Sequence, residues 1–312
     1  MECGLRMDYN SKILVIMGPT ASGKSSLAFK IATDFGGEII SADSMQIYKG
    51  LDIGTAQPTP EEKSAVPHHL AGLFDFSQRV DVYTYLELAE EAIAGVRSRG
   101  RLPIIAGGTG MYLRSLLYGL DPLPGDRELR SRLDRLYDNP EGFEKLKILM
   151  QEKDPVDFER WQSHCRKLIR ALEVFELTGK SITELQTIHK PQVRFPAMVW
   201  NLVWDRSVLR QRIAERTGQM LESGWVEEAA AALKNGILES PTAHQALGYR
   251  IIGEYLAGRI DYEAMREQIV TATWQLARRQ MTWFRNQHPE AATISMPADY
   301  AALSAAAATA VS

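Results

Sequence analysis

Gly18, Pro19, Thr20, Ala21, Ser22, Gly23, Lys24 and Ser25 fit the pattern G-x-x-x-x-G-K-[ST]. That spacing suits a loop that wraps phosphate. Glycines let backbone N–H groups converge, the lysine adds a point charge, and the serine hydroxyl can hold Mg²⁺. The pattern leaves open whose phosphates are held. A nucleoside triphosphate is the first guess, and a diphosphate on another small molecule would satisfy the same groups. Asp43, in the string IISADS, ends a short apolar run. A carboxylate there could take a proton from an acceptor nucleophile, and the position equally suits a turn or N-cap aspartate. A motor-type ATPase needs a further acid closing an apolar strand. The run LPIIA at 102–106 instead meets Gly107, Gly108 and Thr109. Group transfer therefore fits better than hydrolysis or motor action.

These groups need elements to carry them. Residues 13–17 (ILVIM) read as a buried parallel strand, followed by a helix over 24–33 and a strand at 38–41. A helix over 83–96 ends by Gly100, and 102–106 is a further strand. Strand, glycine-rich loop, helix and strand again is the grammar of a parallel α/β sheet. From 126 to about 187 the pattern turns helical, most clearly over 165–177 with Gly179 as C-cap. Residues 197–204 return to strand, and helices resume to about 287, including a long one from 261. The expected fold is α/β. It has a P-loop parallel-sheet core with C-terminal helices (1–125 and 195–312) and a helical insertion domain (126–194). The low-complexity tail AALSAAAATAVS is expected to be a frayed end.

Composition bounds the function. The 312-residue chain has 36 Lys and Arg against 39 Asp and Glu, a formal net charge of −3. Hydrophobic residues make up 45%, enough to offset chain entropy, which excludes disorder as the main state. No run approaches the roughly 18 apolar residues of a spanning helix, so no membrane partner is expected. The start, MECGLRMDYN, lacks the apolar stretch of a secretory signal. Cys3 and Cys165 alone make neither a disulfide framework nor a four-ligand zinc site, which suits a reducing cytoplasm. A chain so close to neutral binds nucleic acid only through a local basic surface.

Further strings narrow the choice. Residues 43–56 read DSMQIYKGLDIGTA, 67–70 PHHL, 107–112 GGTGMY, 170–174 RALEV and 278–285 RRQMTWFR. With GPTASGKS, in this order, they resemble the bacterial tRNA dimethylallyltransferases (isopentenyl-diphosphate:tRNA transferases), from residue 13 to about 289. The resemblance implies an Mg²⁺-dependent transfer of the dimethylallyl group from dimethylallyl diphosphate to N6 of adenine 37, beside the tRNA anticodon. It implies that the phosphate loop holds the donor's diphosphate instead of ATP, and that the enzyme is a monomer. It also implies that the adenine is flipped into a channel that the donor enters from the other end, as chemistry on a stacked base demands.

Residue roles follow where the strings match. Asp43 resembles the base or hydrogen-bond acceptor for adenine N6, and Thr109 the threonine beside the adenine. Arg216 resembles the arginine that neutralises the leaving diphosphate, with Arg212 the fallback. Lys24 resembles the diphosphate clamp, and Ser25 the Mg²⁺ and phosphate ligand. Preplaced cations stabilise the charge that develops on a departing diphosphate. Asp43, Ser44, Met45 and Gln46 match the lining of the base pocket. Arg130, the segment Arg166, Lys167 and Arg170, and the segment Gln245, Gly248, Tyr249 and Arg250 match contacts to the anticodon stem-loop. Such cations would supply salt-dependent attraction, although a basic helix face is ordinarily just solvated. Lys167 stands where an arginine is usual, keeping the charge without the planar fork.

Other residues invite readings of their own. His68 and His69 read as structural or pocket-lining, because no further ligand cluster joins them. Trp161, Trp225, Trp274 and Trp283 could stack on bases, but their spacing among apolar residues suits core. A small-molecule kinase would lack the helical insertion and the RRQMTWFR string. An adenylate prenyltransferase would need no basic insertion. An RNA-binding module without chemistry would need neither Asp43 nor Arg216.

Overall fold

The computed structural model describes residues 12–120, 123–188, 194–288 and 290–311. The chain divides into two compact units, Met1–Leu117 with Val193–Ser312, and Tyr118–Gln192.

The first unit is built on six strands, β1 (Ile13–Met17), β2 (Glu38–Ser41), β3 (His68–His69), β4 (Pro103–Gly107), β5 (Ala197–Val203) and β6 (Ala292–Ser295). They lie in the order β3-β2-β4-β1-β5-β6, and every pairing is parallel. Ile16 of β1 stands between Ala106 of β4 and Trp200 of β5. β1, β2 and β4 are buried along their whole lengths, which is why they read as strands from the sequence. β3 and β6 are too short and too exposed at the edges to do so.

On one face, Leu14, Ile16, Ile104, Trp200 and Leu202 pack with Leu27, Ala28 and Ile31 of the helix Lys24–Phe35. The same cluster takes in Leu303, Ala307 and Ala310. These belong to a helix, Tyr300–Val311, so the expected frayed tail is instead ordered cover for the sheet. Alanine's small side chain and high helix propensity allow that close approach, and an alanine-rich string carries no periodicity from which to read it.

At the β2–β3 edge, Glu38 is buried and accepts two hydrogen bonds from the Arg99 fork, at 2.9 and 2.7 Å, and one from Arg101 at 3.2 Å. His69 Nε2 lies 2.7 Å from the same carboxylate, and His68 Nδ1 lies 2.7 Å from the Val66 carbonyl. Hydrogen bonds from Arg99, with His69 adding to them against the cost of burial, hold the Glu38 carboxyl down at about 2. Both histidines are therefore structural.

The second unit is helical, with helices Arg127–Tyr137, Pro140–Lys153, Pro155–Trp161, Cys165–Thr178 and Ile182–Ile188. Leu133, Leu146, Met150, Leu168, Ile169 and Leu172 form its core. Asp126, Asn139 and Asp154 cap three of the helices, and Gly179 ends another in the left-handed conformation.

Candidate active site

The parallel sheet decides where chemistry can sit. Loops that leave the carboxyl ends of β1, β2 and β4 converge on one crevice, the usual binding place in such sheets. It is a cavity of about 520 Å³, lined by Lys24 and Ser25 after β1, Asp43 to Gln46 after β2, and Thr109 after β4. Later elements complete it with Arg216, Gln245, Gln280 and Trp283. Gly107 allows this convergence, since a Cβ there would stand 2.1 Å from the Ala42 carbonyl oxygen. The strands can approach only because that atom is missing.

The phosphate loop is braced from behind. Ala21 sits at φ 62°, a left-handed conformation that costs a non-glycine residue about 1 kcal/mol or more. Arg212 Nε donates to the Ala21 carbonyl at 3.0 Å, and Trp204 Nε1 donates to the Ser22 carbonyl at 3.0 Å. The Arg212 guanidinium lies 4.3 Å over the Trp204 ring. Arg212 thus serves the loop's backbone, whereas Arg216 lines the cavity and donates from Nη1 to Thr20 Oγ1 at 3.2 Å.

Charge is crowded here. The Lys24 residue keeps some solvent access, but its ammonium lies deep in the loop and donates to the Pro19 carbonyl at 2.7 Å. Burial first, and then the neighbouring Arg216, push its pKa down to about 7, while Asp43 opposes them. Burial likewise lowers Arg216, again opposed by Asp43. Arg279 also lines the cavity, so three basic side chains and one carboxylate share the crevice, which leaves a net demand for an anion.

The acceptor side is knitted together more tightly. Asp43 Oδ1 accepts from the N–H groups of Met45 at 2.9 Å and Gln46 at 3.4 Å, so the residue caps its own turn while facing the cavity. The turn role that the sequence offered is present, and the carboxylate also faces the cavity. Thr109 N–H donates to the Ala42 carbonyl at 3.0 Å, and Thr109 Oγ1 accepts from Ser44 N–H at 2.9 Å. Gln46 lines the cavity with its amide already engaged by Ser41 at 2.7 Å, Thr55 at 3.0 Å and Ala56 at 2.9 Å.

The remaining site residues separate. Gln245 lines the cavity and Arg250 is exposed, but Gly248 and Tyr249 are interior. Tyr249 donates to Glu228 at 2.7 Å; this carboxylate also accepts from Ile53 and Gly54 N–H, at 2.7 and 2.9 Å. In the helical unit, Arg166 and Lys167 are exposed, Arg166 lying 3.5 Å from Asp138. Arg130 and Arg170 instead both engage the buried Glu173. Trp225 and Trp283 line the cavity, Trp225 also belonging to a buried apolar cluster, and Trp161 and Trp274 join apolar clusters as well. Arg212, Trp204 and Gln280 act on the loops from far along the chain, and no local pattern marks them for that work.

Among the described residues no group of three or more His, Cys, Asp or Glu could hold a metal. The Ser25 hydroxyl and the Asp43 carboxylate share the cavity, however, and both are hard oxygen donors. Mg²⁺ is ordinarily held by one or two protein oxygens together with substrate phosphates and water, so this donor set fits it.

Comparison with known proteins gives concordant results. The family model described as IPP transferase matches residues 46–287, and one described as isopentenyl transferase matches 11–67. A tRNA dimethylallyltransferase of Geobacillus kaustophilus is 40% identical over 281 residues, 89% of each chain. One from Geobacter sulfurreducens is 38% identical over 297 residues, 94% of this chain and 95% of the relative. The solved tRNA isopentenylpyrophosphate transferase of Bacillus halodurans superposes with a TM-score of 0.70 at 32% identity, covering 96% of this chain and 97% of that one. A eukaryotic dimethylallyltransferase acting on tRNA gives 0.78 at 26% identity, over 91% and 74%.

Proposed function

The chain belongs to the IPP transferase family, and from that premise we propose that it transfers the dimethylallyl group of dimethylallyl diphosphate to N6 of adenosine 37 in tRNA. One observation carries the reading. A single cavity joins a cationic, phosphate-loop end (Lys24, Arg216) to a carboxylate and hydroxyl end (Asp43, Thr109). The N6 nitrogen forms a bond to C1 of the dimethylallyl group as the C1–oxygen bond breaks. The diphosphate leaves with the electron pair, and the N6 proton passes to the Asp43 carboxylate. Lys24, Arg216 and the loop N–H groups oppose the charge that grows on the leaving diphosphate. Thr109, tied to Ser44, orients the adenine beside Asp43. Ser25 would hold Mg²⁺, which would add to the neutralisation of the diphosphate and leave Asp43 free to accept the proton.

In the helical unit, Arg166 and Lys167 offer exposed charge to the phosphates of the anticodon stem-loop. Arg130 and Arg170 instead support that surface through Glu173. The enzyme works as a monomer in the cytoplasm, where its RNA substrate is found. No described helix is long and apolar enough to cross a membrane.

The test is label transfer from radiolabelled dimethylallyl diphosphate with Mg²⁺, in parallel tubes of unmodified tRNA, of AMP, and of ATP without RNA. Label on adenosine 37 after nucleoside digestion, abolished by EDTA, is the expected result. Label on AMP alone, or ATP consumption without label transfer, overturns the reading.

A further inference from the structure

Gln280 lies on the long helix Tyr262–Gln287, remote in sequence from both loops that it touches. Its Oε1 accepts the Thr20 N–H of the phosphate loop at 2.8 Å. Its Nε2 donates to the Gly108 carbonyl at 2.9 Å, in the loop after β4. One orientation of the amide satisfies both bonds, and the flipped one satisfies neither. The bridge continues at each end. Thr20 Oγ1 receives Arg216, the cation of the diphosphate end. The residue after Gly108 is Thr109, which holds the Ser44 N–H and so the Asp43 turn. A direct path therefore runs from Arg216 through Thr20, Gln280, Gly108 and Thr109 to the acceptor side. Gly108 leaves room for it, since a Cβ there would stand 2.5 Å from Gln280 Nε2.

We propose that Gln280 is a positioning residue that couples occupation of the diphosphate end of the cavity to binding of the RNA acceptor at the other end. This rests on the transferase reading above. An anion that draws on Arg216 and the loop pulls at Thr20. Because the amide has one orientation, Thr20 and Gly108 shift as a pair, so the Thr109–Asp43 side is set for the adenine only when the donor is in place. A residue that merely stiffened the fold would affect stability or both affinities alike. A coupling residue affects the dependence of one affinity on the other ligand.

The test uses the full-length protein with Mg²⁺, inorganic pyrophosphate, and an unmodified anticodon stem-loop RNA that carries adenosine 37. RNA affinity is measured with and without saturating pyrophosphate, for wild type and for Gln280→Met, which keeps the length and loses both hydrogen bonds. In wild type, pyrophosphate is expected to tighten RNA binding about fivefold or more. In Gln280→Met that ratio falls to near one, whatever the change in pyrophosphate affinity alone. Should Gln280→Met fail to fold, Gly108→Ala displaces the amide from the opposite side and is read in the same way. A ratio near one in wild type, or an undiminished ratio in the variant, overturns the proposal. Failure of wild type to bind the RNA or the pyrophosphate at all defeats the transferase reading itself.

Discussion

Lys24 shows how one residue can serve both the resting and the working protein. In the unfolded chain its amine titrates near the ordinary 10.5, and in the fold near 7. Between those values the unfolded chain binds the extra proton, so the ligand-free protein gains stability as pH rises from 7 towards 10.5. A bound diphosphate reverses the preference, because it needs the ammonium form. Pyrophosphate binding should therefore take up more protons than it does in Lys24→Met, and this excess should be larger at pH 8 than at pH 6. Calorimetry in two buffers of different ionisation enthalpy, on wild type and Lys24→Met side by side, measures this excess directly.

Lys24, Ser25 and Asp43 were legible in the sequence because each sits in a local pattern beside a strand end. Gln280 was legible only as a member of the RRQMTWFR string and not as a bridge, because its partners at Thr20 and Gly108 are brought to it only by the tertiary fold. Arg130 and Arg170 were legible as charge but not as partners of Glu173, for the same reason.

At the scale of elements, the buried strands β1, β2 and β4 announced themselves as apolar runs bounded by glycine or serine, and their carboxyl ends fixed the site. The last helix did not. Its burial rests on Leu303, Ala307 and Ala310 meeting Leu27, Ala28 and Ile31, a fit of small side chains that no window of sequence displays. Leu303 is 7% exposed, so Leu303→Ala should cost about 2 kcal/mol by emptying part of that face. Chemical denaturation of the variant checks the figure. A midpoint equal to wild type would mean that the tail helix carries no weight in the core.

Over the whole molecule, a net charge of −3 means that attraction to RNA must come from local groups. Arg166 and Lys167 are exposed and so available to phosphate, whereas Arg130 and Arg170 are engaged with Glu173. Replacing Arg166 or Lys167 by alanine should weaken stem-loop binding at every sequence alike, and should lower the log–log salt slope by about one each. Arg170→Ala should instead destabilise the helical unit, because it leaves part of the buried carboxylate without its partner. Binding titrations at several salt concentrations, with thermal melts of the same variants, separate the two behaviours.

In the proposed reaction Asp43 accepts the proton of the adenine N6. Asp43→Asn isolates that role. The amide oxygen can still accept the N–H groups of Met45 and Gln46, so the turn is kept while the basic carboxylate is lost. The decisive measurement is the single-turnover rate of label transfer from dimethylallyl diphosphate to the anticodon stem-loop, with donor affinity measured alongside. The expected result is a rate lowered about 100-fold or more, with donor affinity and melting temperature close to wild type. A rate within a few-fold of wild type would leave Asp43 as a turn residue only and would contradict the mechanism.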